Sequence, residues 1–142
     1  MLKGFHTIKK YIPQREPMMM VDTLVSHDES ITKSAFTIAS DNVFVSDGEF
    51  MEAGLLENMA QTAALGKGYE YAEKNEQPPL GFIGAVKNFK VFHLPKASDI
   101  LETQIIVKHQ VLNASIVEAE VKNKDLLLAS CELKIFLNPK ID

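Results

Sequence analysis

The sequence predicts an α+β fold in which a curved antiparallel sheet of about six strands wraps around one long central helix, and three observations carry that prediction. From about Met51 to Lys74 the apolar residues follow helical spacing, and between Ala53 and Gly66 only Glu57 is charged. A helix with so little polar surface belongs inside a fold. The C-terminal half changes to a period of two, with Val117, Ala119 and Val121 alternating with Glu118, Glu120 and Lys122. Alternation of this kind marks antiparallel strands with one face covered. The third observation is length: 142 residues make one domain, residues 1–142, and no linker or repeat divides them.

The elements follow in order. Pro17 to Leu24, rich in Met and Val, reads as a buried strand, His27-Asp28-Glu29-Ser30 as its turn, and Ser30 to Ile38 as the hairpin partner. Ser46-Asp47-Gly48-Glu49 precedes the helix with Glu three positions after Ser, which is a capping signal. Asn75 to Pro79 ends the helix, and Gly81 to Val91 supplies a mostly apolar strand. Leu101, Ile105, Val107 and Val111 mark the next inward face. After the turn Asn123-Lys124-Asp125, Leu127, Ala129, Cys131, Leu133, Ile135 and Leu137 mark the last. A sheet curled around a helix in this way is the hotdog fold. One sheet layer leaves strand edges and part of the helix uncovered, so a dimer joining two sheets is expected.

Composition narrows the function. Fifteen Lys+Arg against nineteen Asp+Glu give a formal charge of −4, which argues against nucleic acid as a partner. Cys131 is the single cysteine, so it has no internal disulfide partner, and no spaced Cys/His set makes a zinc site. The opening MLKGFHTIKKYIP has charges and a proline where a signal sequence would be apolar, and no apolar run approaches the ~18 residues of a membrane span. The expectation is an untargeted cytoplasmic protein without metal or cofactor, since no phosphate loop or dinucleotide fingerprint is present.

Glu57 is the sharpest candidate for chemistry. On a helical projection Ala53, Ala60 and Ala64 lie beside it and Gln61 one turn on, so a carboxylate leaves the helix among methyl groups with room for a ligand. Its other reading is structural, as a cap for a backbone amide or an escape at the helix edge. A second candidate is the block Tyr11-Ile-Pro-Gln-Arg-Glu-Pro-Met-Met-Met-Val-Asp22, which contains the only arginine, Arg15. Two prolines four apart fix an extended approach to the core, and Arg15 pairing with Glu16 or Asp22 would make the block a plain entry loop. Met18-Met19-Met20 reads as core filling or as the wall of an adaptable acyl tunnel. Cys131 reads as a small core residue.

These motifs resemble the 3-hydroxyacyl-[acyl-carrier-protein] dehydratases of the FabZ/FabA-like group. Pro13, Arg15, Pro17, Val21 and Asp22 match that family's Leu-Pro-His-Arg-x-Pro block and the Val-Asp that follows it. Glu57-Asn-Met-Ala-Gln61 is similar to its Glu-Ala-Met-Ala-Gln, and the stretch Gly84-Ala-Val-Lys-Asn-Phe89 to Pro95 and Asp99 to its Phe-x-x-Pro-Val-x-Pro-Gly-Asp. The departures are Gln14 where the family has its catalytic histidine, and a segment before the helix without proline. The helix entry Gly54-Leu-Leu-Glu57 looks more like divergent members associated with aryl-polyene or flexirubin-type pigment synthesis. The resemblance implies catalytic positions at Glu57 and Gln14, with Gln61, Gly54, Pro17, Met18 and Ala60 around the substrate. It also implies a thioester of acyl carrier protein or coenzyme A as the partner, and a homodimer or related heterodimer.

Eliminating water from a 3-hydroxyacyl thioester needs a base for the Cα proton, an acid for the hydroxyl and donors to the thioester oxygen. Gln14 can hold a hydroxyl or carbonyl but cannot shuttle a proton. Three readings stay open. Glu57 performs both proton steps, or a displaced imidazole such as His6 or His93 helps it, and the chain is a dehydratase. Alternatively the chain is a catalytically degenerate, thioester-binding partner of an active subunit. In the third, Glu57 activates water and the chain is a hotdog thioesterase. Lys9, Lys10, Arg15, Lys87, Lys90 and Lys96 would form a basic rim for an acidic carrier protein, or simply a solvated face.

Overall fold

The computed structural model describes residues 1–78 and 81–137. A short helix α1 (Phe5–Ile8) is followed by the hairpin β1 (Thr23–His27) and β2 (Ile31–Thr37), then by a small ribbon of β3 (Val45–Ser46) and β4 (Glu49–Phe50). The long helix α2 (Glu52–Glu73) leads to β5 (Gly81–Val91), β6 (Ile100–Val111), β7 (Ala114–Asn123) and β8 (Leu126–Leu137). Six strands form one antiparallel sheet in the order β1-β2-β6-β7-β8-β5. With α2 packed on its concave face, this is the hotdog fold.

The inward faces of β6, β7 and β8 meet α2 in the main core. Leu101, Ile105, Val117, Val121, Leu133 and Met59 are all 3% exposed or less. A smaller cluster lies at the other side of the helix, where Ile8, Ile12, Met19, Val21 and Leu24 enclose Leu65. Lys124 (φ 49°) and Asp125 (φ 69°) make the two-residue turn between β7 and β8 that the polar triplet predicts. Pro79, the last residue of the expected helix stop, lies outside the described residues.

Three local expectations are corrected. The segment Pro17–Asp22 is not part of a strand, and β1 begins only at Thr23. Its backbone is claimed by helix side chains instead: Met20 N–H donates to Gln61 Oε1 (2.6 Å), while Met20 C=O accepts from Asn58 Nδ2 (2.7 Å). Ser46–Glu49 is not a helix cap. Asp47 (φ 51°) and Gly48 (φ 78°) form the two-residue turn between β3 and β4, and the helix starts after Met51, without a side-chain cap. An Asp-Gly pair fits that left-handed turn better than a capping box. Val111 is 67% exposed because an irregularity between Val107 and His109 reverses the inward phase of β6.

Candidate functional site

The inner side of α2 is less apolar than its sequence suggests. Asn58, Gln61 and Thr62 are fully buried, and each is satisfied. Asn58 Oδ1 accepts from Thr103 Oγ1 (2.5 Å), and Thr62 Oγ1 donates to Asn58 C=O (2.8 Å) and meets Ser34 Oγ (2.7 Å). Gln61 uses both ends of its amide. Its oxygen takes the Met20 N–H, and its Nε2 donates to Met18 C=O (2.7 Å) and to Glu57 Oε1 (2.9 Å). A buried amide of this kind is committed by its partners. It fixes the Met18–Met20 segment and, from the same group, orients the Glu57 carboxylate.

Glu57 is half-buried and opens onto a cavity of about 680 Å³ between α2 and the sheet. Ala60, Ala63 and Ala64 form the helix wall beyond it, and Ile83, Ile105, Val107, Val117 and Ile135 the sheet wall. The methyl-sized residues of α2 create the space, because larger side chains at those positions would meet the sheet. Gln14 lines the same cavity, and its Oε1 is buried without a hydrogen-bond partner. An unpaired buried carbonyl oxygen is costly and marks a place where a ligand donor would be welcome.

The structure thus brings Glu57, Gln14 and Ala60 to one cavity. The other residues expected around the substrate lie elsewhere in this protomer. Gln61 stands behind Glu57 as its holder, and Met18, 43% exposed, contributes a carbonyl to that amide. Pro17 is exposed, after a cis peptide bond to Glu16. Gly54 packs under aromatic rings, where a Cβ would come within 2.8 Å of Phe44 Cβ and of Phe50 Cε1. Neither Glu16 nor Asp22 is the tie for Arg15. Its guanidinium donates to the carbonyls of Ile12 (2.8 Å), Gln14 (2.8 Å) and Lys9 (2.9 Å), while Glu16 pairs with Lys9 at 2.8 Å. Arg15 therefore staples the loop that carries Gln14.

His6, His93 and His109 are exposed and do not line the cavity. The imidazole that does is His27, which the sequence reading places in a turn. Leu24 and His27 are an odd number of residues apart, so a regular strand would put them on opposite faces. An irregularity between Leu24 and Ser26 brings both inward, and His27 pairs with Thr32 across the hairpin. A single bulge leaves no trace in hydrophobic alternation. Cys131 is a core residue against Met59, and burial pushes its thiol up to about 11. Tyr11 is likewise raised above its ordinary value, first by burial and then by the Glu73 carboxylate.

The family model described as ApeP-like, ApeP dehydratase, matches residues 6–142. The fold is similar to a chain of the dehydratase heterocomplex ApeI:P from Xenorhabdus doucetiae, with a TM-score of 0.86 and 19% identity over 94% of this chain and 91% of that one. It is also similar to a hypothetical thioesterase with coenzyme A from Streptococcus pneumoniae (TM-score 0.68, 10% identity, 84% and 88% covered). A Streptococcus mutans protein bound to acetyl coenzyme A gives a TM-score of 0.66 at 13% identity, with 84% and 90% covered. No curated protein matches the sequence. At these identities the structural likenesses establish the hotdog fold, and the family match covers nearly the whole chain.

Proposed function

The chain belongs to the ApeP-like dehydratase family, and from that membership we propose that it takes a 3-hydroxyacyl thioester of acyl carrier protein or coenzyme A into the cavity beside α2 and removes water to give a trans-2-enoyl thioester. The observation that carries this reading is the Glu57 carboxylate at the wall of an apolar cavity, held through one oxygen by Gln61. A fixed carboxylate facing small apolar groups is suited to proton transfer at carbon.

With Gln14 unable to shuttle a proton, both proton steps run in sequence through Glu57. Glu57 takes the Cα proton, the C–H electron pair becomes the Cα=Cβ bond, and the Cβ–O bond breaks as the proton returns from Glu57 to the departing hydroxyl, giving water. Gln14 positions the substrate, its unpaired Oε1 accepting from the 3-hydroxyl. The hotdog neighbours with coenzyme A or acetyl coenzyme A support a thioester ligand for this chain. The substrate pathway, fatty acid or polyene, lies within this proposal.

A second reading has its own support. Gln14 does not titrate, and the structural relative with TM-score 0.86 is a heterocomplex, so the chain would bind thioester within a heterodimer whose related subunit supplies the missing proton shuttle. Hydration of a trans-2-enoyl thioester by the purified chain separates the two. The first reading expects turnover that falls by about 10²–10⁴-fold in Glu57→Gln. No turnover alone, with turnover appearing in Gln14→His, sinks the first and supports the second. Release of free thiol, dependent on Glu57, would instead reassign the chain to thioester hydrolysis.

A further inference from the structure

The cavity has a second polar end. At a rise of 1.5 Å per residue, Glu70 lies about 20 Å along α2 from Glu57, yet Glu57, Glu70, His27 and Thr32 all line the same cavity. Ala60, Ala63, Ala64, Ile105, Val107 and Val117 give the cavity much of its lining, with Ser115 and Phe82 among them. His27 Nδ1 is 2.9 Å from Thr32 Oγ1, and its ring meets the edge of Tyr69 at 5.6 Å. Thr32 is held against the helix because α2 has no side chain at Gly66, where a Cβ would strike Thr32 Oγ1. The imidazole is thus held by Thr32 and Tyr69, and its side chain is only 10% exposed.

Its other nitrogen makes no hydrogen bond within the chain and is open to the cavity. His27 Nε2 and Glu70 Oε2 are 3.6 Å apart, which is beyond a hydrogen bond. Lys67 Nζ also stands off from Glu70 Oε2, at 3.9 Å. When Thr32 donates to Nδ1, Nε2 carries the proton, so the gap is flanked by one donor and one acceptor. A hydroxyl is the small neutral group that accepts from the first and donates to the second. An anion fits poorly, because it would meet the Glu70 carboxylate, to which Lys67 and Lys74 are already drawn.

We propose that the His27–Thr32–Glu70 end of the cavity is a specificity site for the far end of the acyl chain, selecting a long substrate that carries a terminal hydroxyl. This rests on the thioester-binding reading above, with the reacting carbons at Glu57 and the tail running along Ala60, Ala63 and Ala64. Its chemistry is distinct from that of Glu57. The site reads the tail by hydrogen bonds and takes no part in elimination, so it acts on affinity rather than on the proton steps.

The test uses stable amide analogues of 3-hydroxyacyl pantetheine thioesters, in a length series of about eight to sixteen carbons, each with and without an ω-hydroxyl. Binding to the full chain in the oligomer it forms is read by calorimetry. At one matching length the ω-hydroxyl form should bind about tenfold tighter, as one or two buried hydrogen bonds would give. That preference should vanish in Glu70→Met and in His27→Leu, while the affinity of the plain analogue stays within about twofold. Glu70→Met keeps the length but removes the acceptor at a position 30% exposed, so the test survives if His27→Leu fails to fold. Binding of both analogues with no preference at any length overturns this inference and leaves the thioester reading standing. Binding of neither overturns both. A His27-dependent gain from a 4′-phosphate on the pantetheine would put the carrier arm at this end and overturn the tail assignment.

Discussion

At the scale of single residues, the site depends on how Glu57 is held more than on how deeply it lies. Gln61 makes three hydrogen bonds, two of them to backbone groups of the segment before β1. Replacing it with Leu preserves volume but strands the Met20 N–H and the Met18 C=O, and the first of these is fully buried. Gln61→Leu should therefore lower stability by about 2–4 kcal/mol, since each stranded group costs about 1–3 kcal/mol. The measurement is a urea midpoint at unchanged slope. A loss below about 1 kcal/mol would mean that the bonds contribute little and that Glu57 is not held this way. Such a result would remove the basis for a preorganised carboxylate.

At the scale of elements, α2 was the most readable part of the chain. Its bounds, Glu52–Glu73, lie within a residue of the pattern reading, because a long run with few charges leaves few alternatives. The β7–β8 hairpin was readable for the same reason, with Val117, Ala119 and Val121 buried in alternation. What could not be read is where backbone groups find partners among side chains. Pro17–Asp22 has the composition of a strand, yet the Met18 carbonyl and both backbone groups of Met20 bond to Asn58 and Gln61, some 40 residues away in sequence. Of the residues that line the candidate cavity, Glu57, Gln14 and Ala60 stand in readable motifs, whereas His27 was hidden behind a bulge. The helix also docks the Gln14 loop through Gly68, whose Cβ would overlap the Tyr11 carbonyl. A backbone carbonyl in a loop stapled by Arg15 cannot swing aside. Gly68→Ala should thus cost about 1–3 kcal/mol net, despite the ~1 kcal/mol that Ala gains in helix propensity. Thermal unfolding measures it, and a neutral or stabilising outcome would show that the loop yields and that Gln14 is not rigidly presented.

For the whole molecule, the two edges of the sheet are unequal. β1 is five residues long, and the N-terminal segment covers it, with Leu2 and Lys3 N–H donating to Leu24 C=O and Leu24 N–H to Lys3 C=O. β5, eleven residues long, has β8 on one side and no neighbour on the other among the described residues. Lys87, Lys90 and the irregularity between them blunt the latter part of that edge. The stretch before them exposes Phe82 (49%), Ile83 (39%) and Val86 (39%). An open apolar edge invites pairing or aggregation, and continuing the sheet into a second protomer removes both the unpaired amides and the exposed apolar groups. Sedimentation equilibrium should therefore find assemblies of at least two chains, formed with another copy or with a related subunit. Hydrogen exchange should find the amides of residues 81–86 protected on both sides of β5. Val86→Glu places a charge in that contact and should weaken association by about tenfold or more, as for a central interface position, with the fold checked by circular dichroism. A chain that stays monomeric at every concentration and beside candidate partner subunits, with half of the β5 amides exchanging freely, would contradict the dimer. In that case the cavity wall formed by Ile83 would face solvent, and a cavity open along its length could not exclude water from the Glu57 carboxylate during the proposed elimination.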